Sequence, residues 1–238
     1  GSGADDPGQR LSAGFLRLGR YAYKGRCRAM NPLMTGLAGT LSPEQLAKVR
    51  QTPVGIAGLG GLGSNVAWHL VRSGFSHLVL ADFDRVEASN LNRQVYFPDQ
   101  LGLLKAEALA ENLLRINPDL DLKLWPVLVT PDNVQSIFGQ CLIWVEGFDQ
   151  TASKKMFVEE GLAAGKKVIG ASGLAGWGDT DTIRTMHWGS GLSVVGDFCT
   201  DVAKDQPPFS PRVGVVAAKQ ANLVLAWALN ENLAGSKL

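Results

Sequence analysis

Val54-Gly55-Ile56-Ala57-Gly58-Leu59-Gly60-Gly61-Leu62-Gly63-Ser64-Asn65 decides the fold of this chain. The apolar run from Val54 to Ala57 suits a strand buried in a parallel sheet. Gly58, Gly60 and Gly63 then keep a G-x-G-x-x-G spacing ahead of a helix expected to open near Ser64. The spacing has a physical reason. The turn needs dihedrals that side chains resist, phosphate must approach bare backbone, and a helix N-terminus supplies unpaired N–H groups with a positive dipole end. Taken alone, the pattern also fits dinucleotide enzymes and a glycine turn with no ligand.

Working outward, His77-Leu78-Val79-Leu80-Ala81 reads as the second strand and delivers Asp82 at its carboxyl end. Doubly wound sheets place an acidic residue there against ribose hydroxyls, which NAD and ATP share. The cluster after Asp82-Phe83-Asp84 separates the two: Ser89-Asn90-Leu91-Asn92-Arg93-Gln94 carries a guanidinium for which hydride transfer has no evident use. A triphosphate needs such positive charge. The plainer alternative pairs Arg93 with a surface carboxylate.

At these residues the chain resembles the ubiquitin-activating-like adenylyltransferases that activate sulfur carriers, including ThiF and MoeB. The resemblance runs from about Val54 to Ala228 and includes Gly102-x-x-Lys105. Ile116-Asn117-Pro118, Gly170-Ala171-Ser172-Gly173, Val195-Gly196-Asp197 and Pro211-Arg212-Val213-Gly214 make it most similar to the short ThiF-like proteins. The resemblance implies ATP as cofactor. It places Gly58, Gly60 and Gly61 against the phosphates, Asp82 on the ribose with Asp84 beside it, and Ser89, Asn90, Asn92, Arg93 and Gln94 along the triphosphate. Lys105 would reach the same phosphates from the next helix, and Asp149, followed by Gln150, would handle magnesium. From the residues alone, Asp149 can equally cap a helix starting near Thr151.

The implied reaction joins the C-terminal carboxylate of a small ubiquitin-like sulfur carrier ending in Gly-Gly to the alpha phosphorus of ATP, releasing pyrophosphate. Two anions meet, so Mg2+ with Arg93, Lys105 and Asp149 would form the catalytic set. No general base is required, because a carboxylate is already ionised at neutral pH. The thiamine thiazole carrier is the leading acceptor. The molybdopterin carrier, a tRNA-bound carboxylate or a peptide terminus stay open, because phosphate motifs do not encode the acceptor surface. An NAD-binding oxidoreductase and a non-catalytic scaffold are the rival classes.

With 238 residues, 45% hydrophobic and 19% charged, the chain has room for one large α/β core. A formal net charge of +1 exerts no overall pull toward nucleic acid or membranes, and no direct nucleic-acid binding is expected. No apolar run approaches a membrane span and no secretory h-region is visible, so a soluble cytoplasmic protein is expected. Gly1-Ser2-Gly3 reads as a cloning remnant. The three cysteines, Cys27, Cys141 and Cys199, are widely spaced and form no C-x-x-C, so no zinc site is expected. Cys141 reads as a small buried hydrophobe and Cys27 as an exposed bystander. Some relatives use a cysteine after adenylation, which makes Cys199 a possible covalent thiol, although Asp197 and Asp201 disfavour its thiolate.

Residues 1–40 read as an N-terminal arm and 41–238 as a single adenylyltransferase domain. Ser42-Pro43-Glu44-Gln45 opens a short helix with Ser42 as cap. Helices at 64–73, 101–116, 131–138 and 151–164 alternate with strands at 77–82, 121–128, 141–145 and 167–171. That rhythm predicts a Rossmann-like, doubly wound, mostly parallel α/β sheet. Strands at Thr180–His187 and Leu192–Val195, joined by a glycine turn, predict an antiparallel C-terminal extension. The last helix, Val213 to Leu229, is apolar enough to be buried, and the family resemblance buries it in a homodimer. The family often donates an arm arginine in trans. The family's Arg-Tyr-x-Arg-Gln stretch is not reproduced here; Arg20-Tyr21-Ala22-Tyr23 is its nearest echo, with Arg17, Arg26 and Arg28 close by, so the residues assign no donor.

Overall fold

The computed structural model describes residues 21–24, 31–202 and 206–229. Cys27 and the arm arginines Arg17, Arg20, Arg26 and Arg28 lie outside the described residues. Within the stretch expected to be an arm, strand β1 (Tyr21–Lys24) pairs antiparallel with β4 (Asp121–Trp125) at one sheet edge. Helix α1 (Pro32–Ala38) follows, capped by Asn31, whose amide also donates to Asn117 Oδ1 at 2.7 Å. Helix α2 (Pro43–Gln51) begins as its sequence predicts. Gln45 N–H donates to Ser42 Oγ at 3.2 Å and Ser42 N–H to Gln45 Oε1 at 3.0 Å, a reciprocal capping box.

The sheet order is β1-β4-β3-β2-β5-β6-β8-β7, with β2 at Val54–Ala57, β3 at His77–Ala81, β5 at Ile143–Glu146, β6 at Lys167–Ala171, β7 at Arg184–Trp188 and β8 at Leu192–Gly196. Strands β4, β3, β2, β5, β6 and β8 run parallel. Only β7 is antiparallel in the C-terminal extension, while β8 continues the parallel set beside β6. The chain leaves β2 toward β3 and β4, then returns to β5 on the other flank, so a switch point lies between β2 and β5. A crevice opens at the carboxyl ends of strands that diverge in this way.

Successive strand residues face opposite sides and fill two cores. On one side Ile56, Leu80 and Val145 pack with α3 (Gly61–Arg72), α4 (Lys105–Ile116) and α7 (Ser210–Ala228). On the other, Ala57, Val79 and Trp144 pack with α5 (Val134–Phe138) and α6 (Thr151–Ala163). There Phe138, Trp144 and Phe157 meet with centroids 5.0–5.6 Å apart. Cys141 is fully buried beside them and burial pushes its thiol up to about 12, the small hydrophobe expected of it.

Several boundaries differ from the periodicity reading. Helix α3 opens at Gly61 rather than near Ser64, so its first turn is built from the glycine motif itself. Helix α4 opens at Lys105 rather than 101, because a 3-10 turn at Pro98–Gln100 and Gly102 at φ +82° keep the chain from coiling earlier. Strand β4 ends at Trp125, just before Pro126. Residues Asp179 to Ile183 turn rather than extend, so β7 starts at Arg184. The apolar content of α7 is already buried within one copy, with Val213, Val216, Ala217, Leu223 and Val224 inside the core. Among the described residues no helix is long and apolar enough to cross a membrane.

Candidate active site

The crevice beyond β2, β3 and β5 is built first from glycines. Gly58 adopts φ +81°, and a Cβ there would sit 2.7 Å from Gly147 backbone. A Cβ on Gly63 would lie 1.8 Å from the Gly58 carbonyl oxygen. These two glycines answer to the protein's own packing. Gly60 does not: a Cβ there meets only Gln94 Nε2, at 3.7 Å, so its bare backbone leaves room on the cleft side. The N–H groups of Gly60 and Gly61 find no acceptor among the described residues. Unpaired donors at a helix start invite an anion.

Asp82 clasps this loop. Its Oδ2 accepts from Leu59 N–H at 2.6 Å and its Oδ1 from Asp84 N–H at 2.8 Å. Burial raises the Asp82 carboxyl, opposed by the Lys105 charge and those two backbone donors. Lys105 opens α4, and its Nζ reaches Asp84 Oδ2 at 2.7 Å. The lysine expected to reach the phosphates is thus shared here with a carboxylate.

Arg93 lies against the glycine loop, its Cγ 3.6 Å from where a Gly61 Cβ would be. Its Nη1 donates to Ser89 carbonyl at 2.9 Å and to Asn92 Oδ1 at 2.7 Å, and no described carboxylate pairs with it. The surface-pair alternative thus finds no partner here. Partial burial lowers the Arg93 pKa, and the group stays charged at neutral pH. Asn90 is buried and its Oδ1 accepts from Glu87 N–H at 3.0 Å, so that atom holds the 3-10 turn. Ser89 and Asn92 are exposed. Gln94 is buried beside Gly60, and its Oε1 has no hydrogen-bond partner among the described residues.

The loop after β5 packs on Gly58 through Gly147, whose N–H donates to Ala57 carbonyl at 2.8 Å. Two residues further, Asp149 is exposed and makes no hydrogen bond or ion pair with any described residue. The capping alternative does not hold: the cap of α6 is Gln150, exposed and without a side-chain capping bond. Glu146 and Tyr96 escaped the sequence reading. Glu146 is fully buried, accepts from Lys154 Nζ at 2.9 Å and Phe148 N–H at 2.7 Å, and burial raises its carboxyl. An acid ending the apolar run Cys141-Leu142-Ile143-Trp144-Val145 was the available signal. Tyr96 joins the glycine loop to α4 and has no sequence signal.

Cys199 lies in the turn after β8 and is exposed. Asp197 Oδ1 accepts from Cys199 N–H at 2.9 Å and stands 3.5 Å from its Sγ, which raises the thiol pKa. Arg212 Nη2 meets Asp197 Oδ2 at 2.5 Å, both side chains buried. Among the described residues no three His, Cys, Asp or Glu side chains gather into a metal site.

The free N–H groups, the carboxylate-free Arg93 guanidinium and, among the described residues, the unpartnered Asp149 thus lie in the loops that follow β2, β3 and β5 of a mostly parallel, Rossmann-like α/β sheet. A model of the ThiF family matches residues 34–236, and the chain belongs to that family. Ubiquitin-like modifier-activating enzyme 5 of Caenorhabditis elegans is 43% identical over 94 residues, which are 39% of this chain and 22% of that protein. Adenylyltransferase and sulfurtransferase UBA4 of Candida glabrata is 31% identical over 160 residues, 67% of this chain and 35% of that protein. The chain therefore matches about a fifth to a third of the length of these relatives. Among solved structures, the E. coli tRNA N6-threonylcarbamoyladenosine dehydratase TcdA in complex with ATP superposes with TM-score 0.72 at 22% identity, covering 84% of this chain and 93% of that one. E. coli MccB with ATP gives TM-score 0.62 at 21% identity, covering 79% and 60%.

Proposed function

We propose that this protein adenylates a carboxylate with ATP, the acceptor being the C-terminal glycine of a small ubiquitin-like sulfur carrier. The observation that carries this reading is Arg93, a charged side chain whose stem packs against Gly61 and which has no carboxylate partner among the described residues, beside a glycine loop whose Gly60 and Gly61 N–H groups are also free there. Hydride transfer has no use for that cation. A polyphosphate does.

In this reading the Gly60 and Gly61 N–H groups and Arg93 hold the phosphates, and Asp82 orients the ribose while its other contacts brace the loop. Lys105 exchanges part of its contact with Asp84 for phosphate, which lowers repulsion as the carrier carboxylate attacks. Ser89, Asn92, Gln94 and Gln150 line the approach, with Asn90 bracing the turn. Magnesium suits the donor set, because this ion is commonly held by one or two carboxylates plus substrate phosphates, and Asp149 offers one carboxylate with no other partner. When bound it neutralises charge on the departing pyrophosphate. A homodimer with an arm arginine supplied in trans belongs to the same proposal.

The test is carrier-dependent exchange of labelled pyrophosphate into ATP, run with each Gly-Gly carrier of the host and with tRNA bearing a carboxylate. Exchange with a Gly-Gly carrier supports the reading. Exchange with tRNA alone moves the acceptor to the modified nucleoside, and silence with every acceptor overturns the assignment.

A further inference from the structure

Tyr96 is buried where the glycine loop meets helix α4. Its Oη donates to the Leu59 carbonyl at 2.8 Å, with the Lys105 carbonyl a weaker second acceptor at 3.4 Å. The preceding N–H of Leu59 is held by Asp82 at 2.6 Å. Both peptide units flanking Leu59 are therefore tied.

The geometry has a consequence for the next residue. The Leu59 carbonyl and the Gly60 N–H belong to one planar trans peptide and point in opposite directions. Holding the carbonyl against Tyr96 turns the N–H the other way, and no described residue accepts from it. Glycine at 60 would otherwise let this peptide rotate at little cost.

We infer that Tyr96 is a positioning residue for polyphosphate: its hydroxyl anchors the Leu59–Gly60 peptide so that the Gly60 N–H is aimed into the cleft before nucleotide arrives. The inference rests on the nucleotide reading above. Two neighbours keep the anchor still. Val95 carbonyl accepts from Asn112 Nδ2 at 2.8 Å, and Asn112 and Gln100 exchange amide hydrogen bonds at 2.9 and 3.0 Å, fastening the Tyr96 segment to α4. Burial, then the charges of Asp82 and Asp84, push the Tyr96 hydroxyl well above its ordinary range, so it remains a donor at every working pH.

The test compares unaltered protein with Tyr96→Phe, which deletes one hydroxyl and keeps the ring in the core. ATP affinity by calorimetry is expected to fall about fivefold, the scale of one hydrogen bond. In exchange assays the KM for ATP should rise with kcat and carrier KM unchanged, a split that general destabilisation does not produce. Equal ATP affinity in the two proteins overturns the inference while leaving the nucleotide reading intact. Absence of ATP binding by the unaltered protein overturns both, and that arm alone reveals it. Hydrogen exchange on unaltered protein provides a second measurement if Tyr96→Phe cannot be purified. The Gly60 amide should exchange fast without nucleotide and slow on ATP addition, and a Gly60 amide already protected without nucleotide overturns the inference.

Discussion

Lys105 and Asp84 form an asymmetric pair: Nζ and Oδ2 are 2.7 Å apart, yet the lysine side chain is 7% exposed and the aspartate 46%. The lysine is mostly buried while its counter-ion stays open to solvent. Lys105→Met should therefore keep the fold, because a buried charge is replaced by an apolar chain of similar size. Pyrophosphate exchange should drop on the order of 100-fold, the scale of one lost electrostatic stabiliser. Asp84→Asn strands the buried ammonium and should lower stability by about 1 kcal/mol, discounted for the open carboxylate. Thermal melts and exchange rates on both variants check the contrast, and equal exchange by Lys105→Met and unaltered protein would remove the lysine from the reaction.

The glycines should separate into structural and ligand-facing ones. Gly63→Ala drives a Cβ to 1.8 Å from the Gly58 carbonyl oxygen, backbone that cannot step aside. A stability loss of about 3 kcal/mol or more is expected from that overpacking. Gly60→Ala finds only Gln94 Nε2 at 3.7 Å, so its melting temperature should shift far less while ATP affinity falls at least tenfold. Urea unfolding with ATP titration tests both, and the prediction is lost if Gly60→Ala is the less stable variant.

Asp197 gives stability a definite acid dependence. Burial by itself would raise the Asp197 carboxyl, but hydrogen bonds from Thr200 and Cys199 outweigh it and lower it from 3.8 to about 2. The folded state thus prefers the ionised carboxylate. This contribution is fully present above pH about 4, disappears as pH falls toward about 2, and is worth about 2 kcal/mol. Glu146 has the opposite sign, because burial raises its carboxyl, so the measurement must be a difference. Subtracting the urea stability of Asp197→Asn from that of unaltered protein between pH 2 and 6 should give a gap that narrows on acidification. Arg212→Ala should cost about 3 kcal/mol at neutral pH by removing the buried counter-ion of Asp197, which keeps its hydrogen bonds from Cys199 and Thr200.

Cys199 is held as a thiol. Asp197 accepts from it at 3.5 Å and raises its pKa, so alkylation by iodoacetamide at pH 7 should run slower than for an unperturbed thiol. Asp197→Asn should accelerate that alkylation, and Cys199→Ser should leave pyrophosphate exchange unchanged. Loss of exchange in Cys199→Ser would bring the thiol into the adenylation step itself.

Much of this protein was legible without coordinates because the signals are local. Alternation of apolar runs with helix-forming stretches identified the parallel sheet, Ser42 announced the cap of its helix, and the spacing of Gly58, Gly60 and Gly63 marked the turn between β2 and α3. Backbone dihedrals and strand burial are properties of a few adjacent residues, so their signals appear in adjacent letters. What only the tertiary structure decided depends on residues distant in the chain. It assigned Gly58 and Gly63 to packing and Gly60 to open space, gave Lys105 to Asp84 while leaving, among the described residues, Arg93 without a carboxylate partner and Asp149 without any hydrogen bond or ion pair, and set Tyr96 under the Leu59 carbonyl. Periodicity carries no record of such contacts, because a hydrogen bond between positions 37 residues apart is chosen by how the sheet and helices stack, after each has formed.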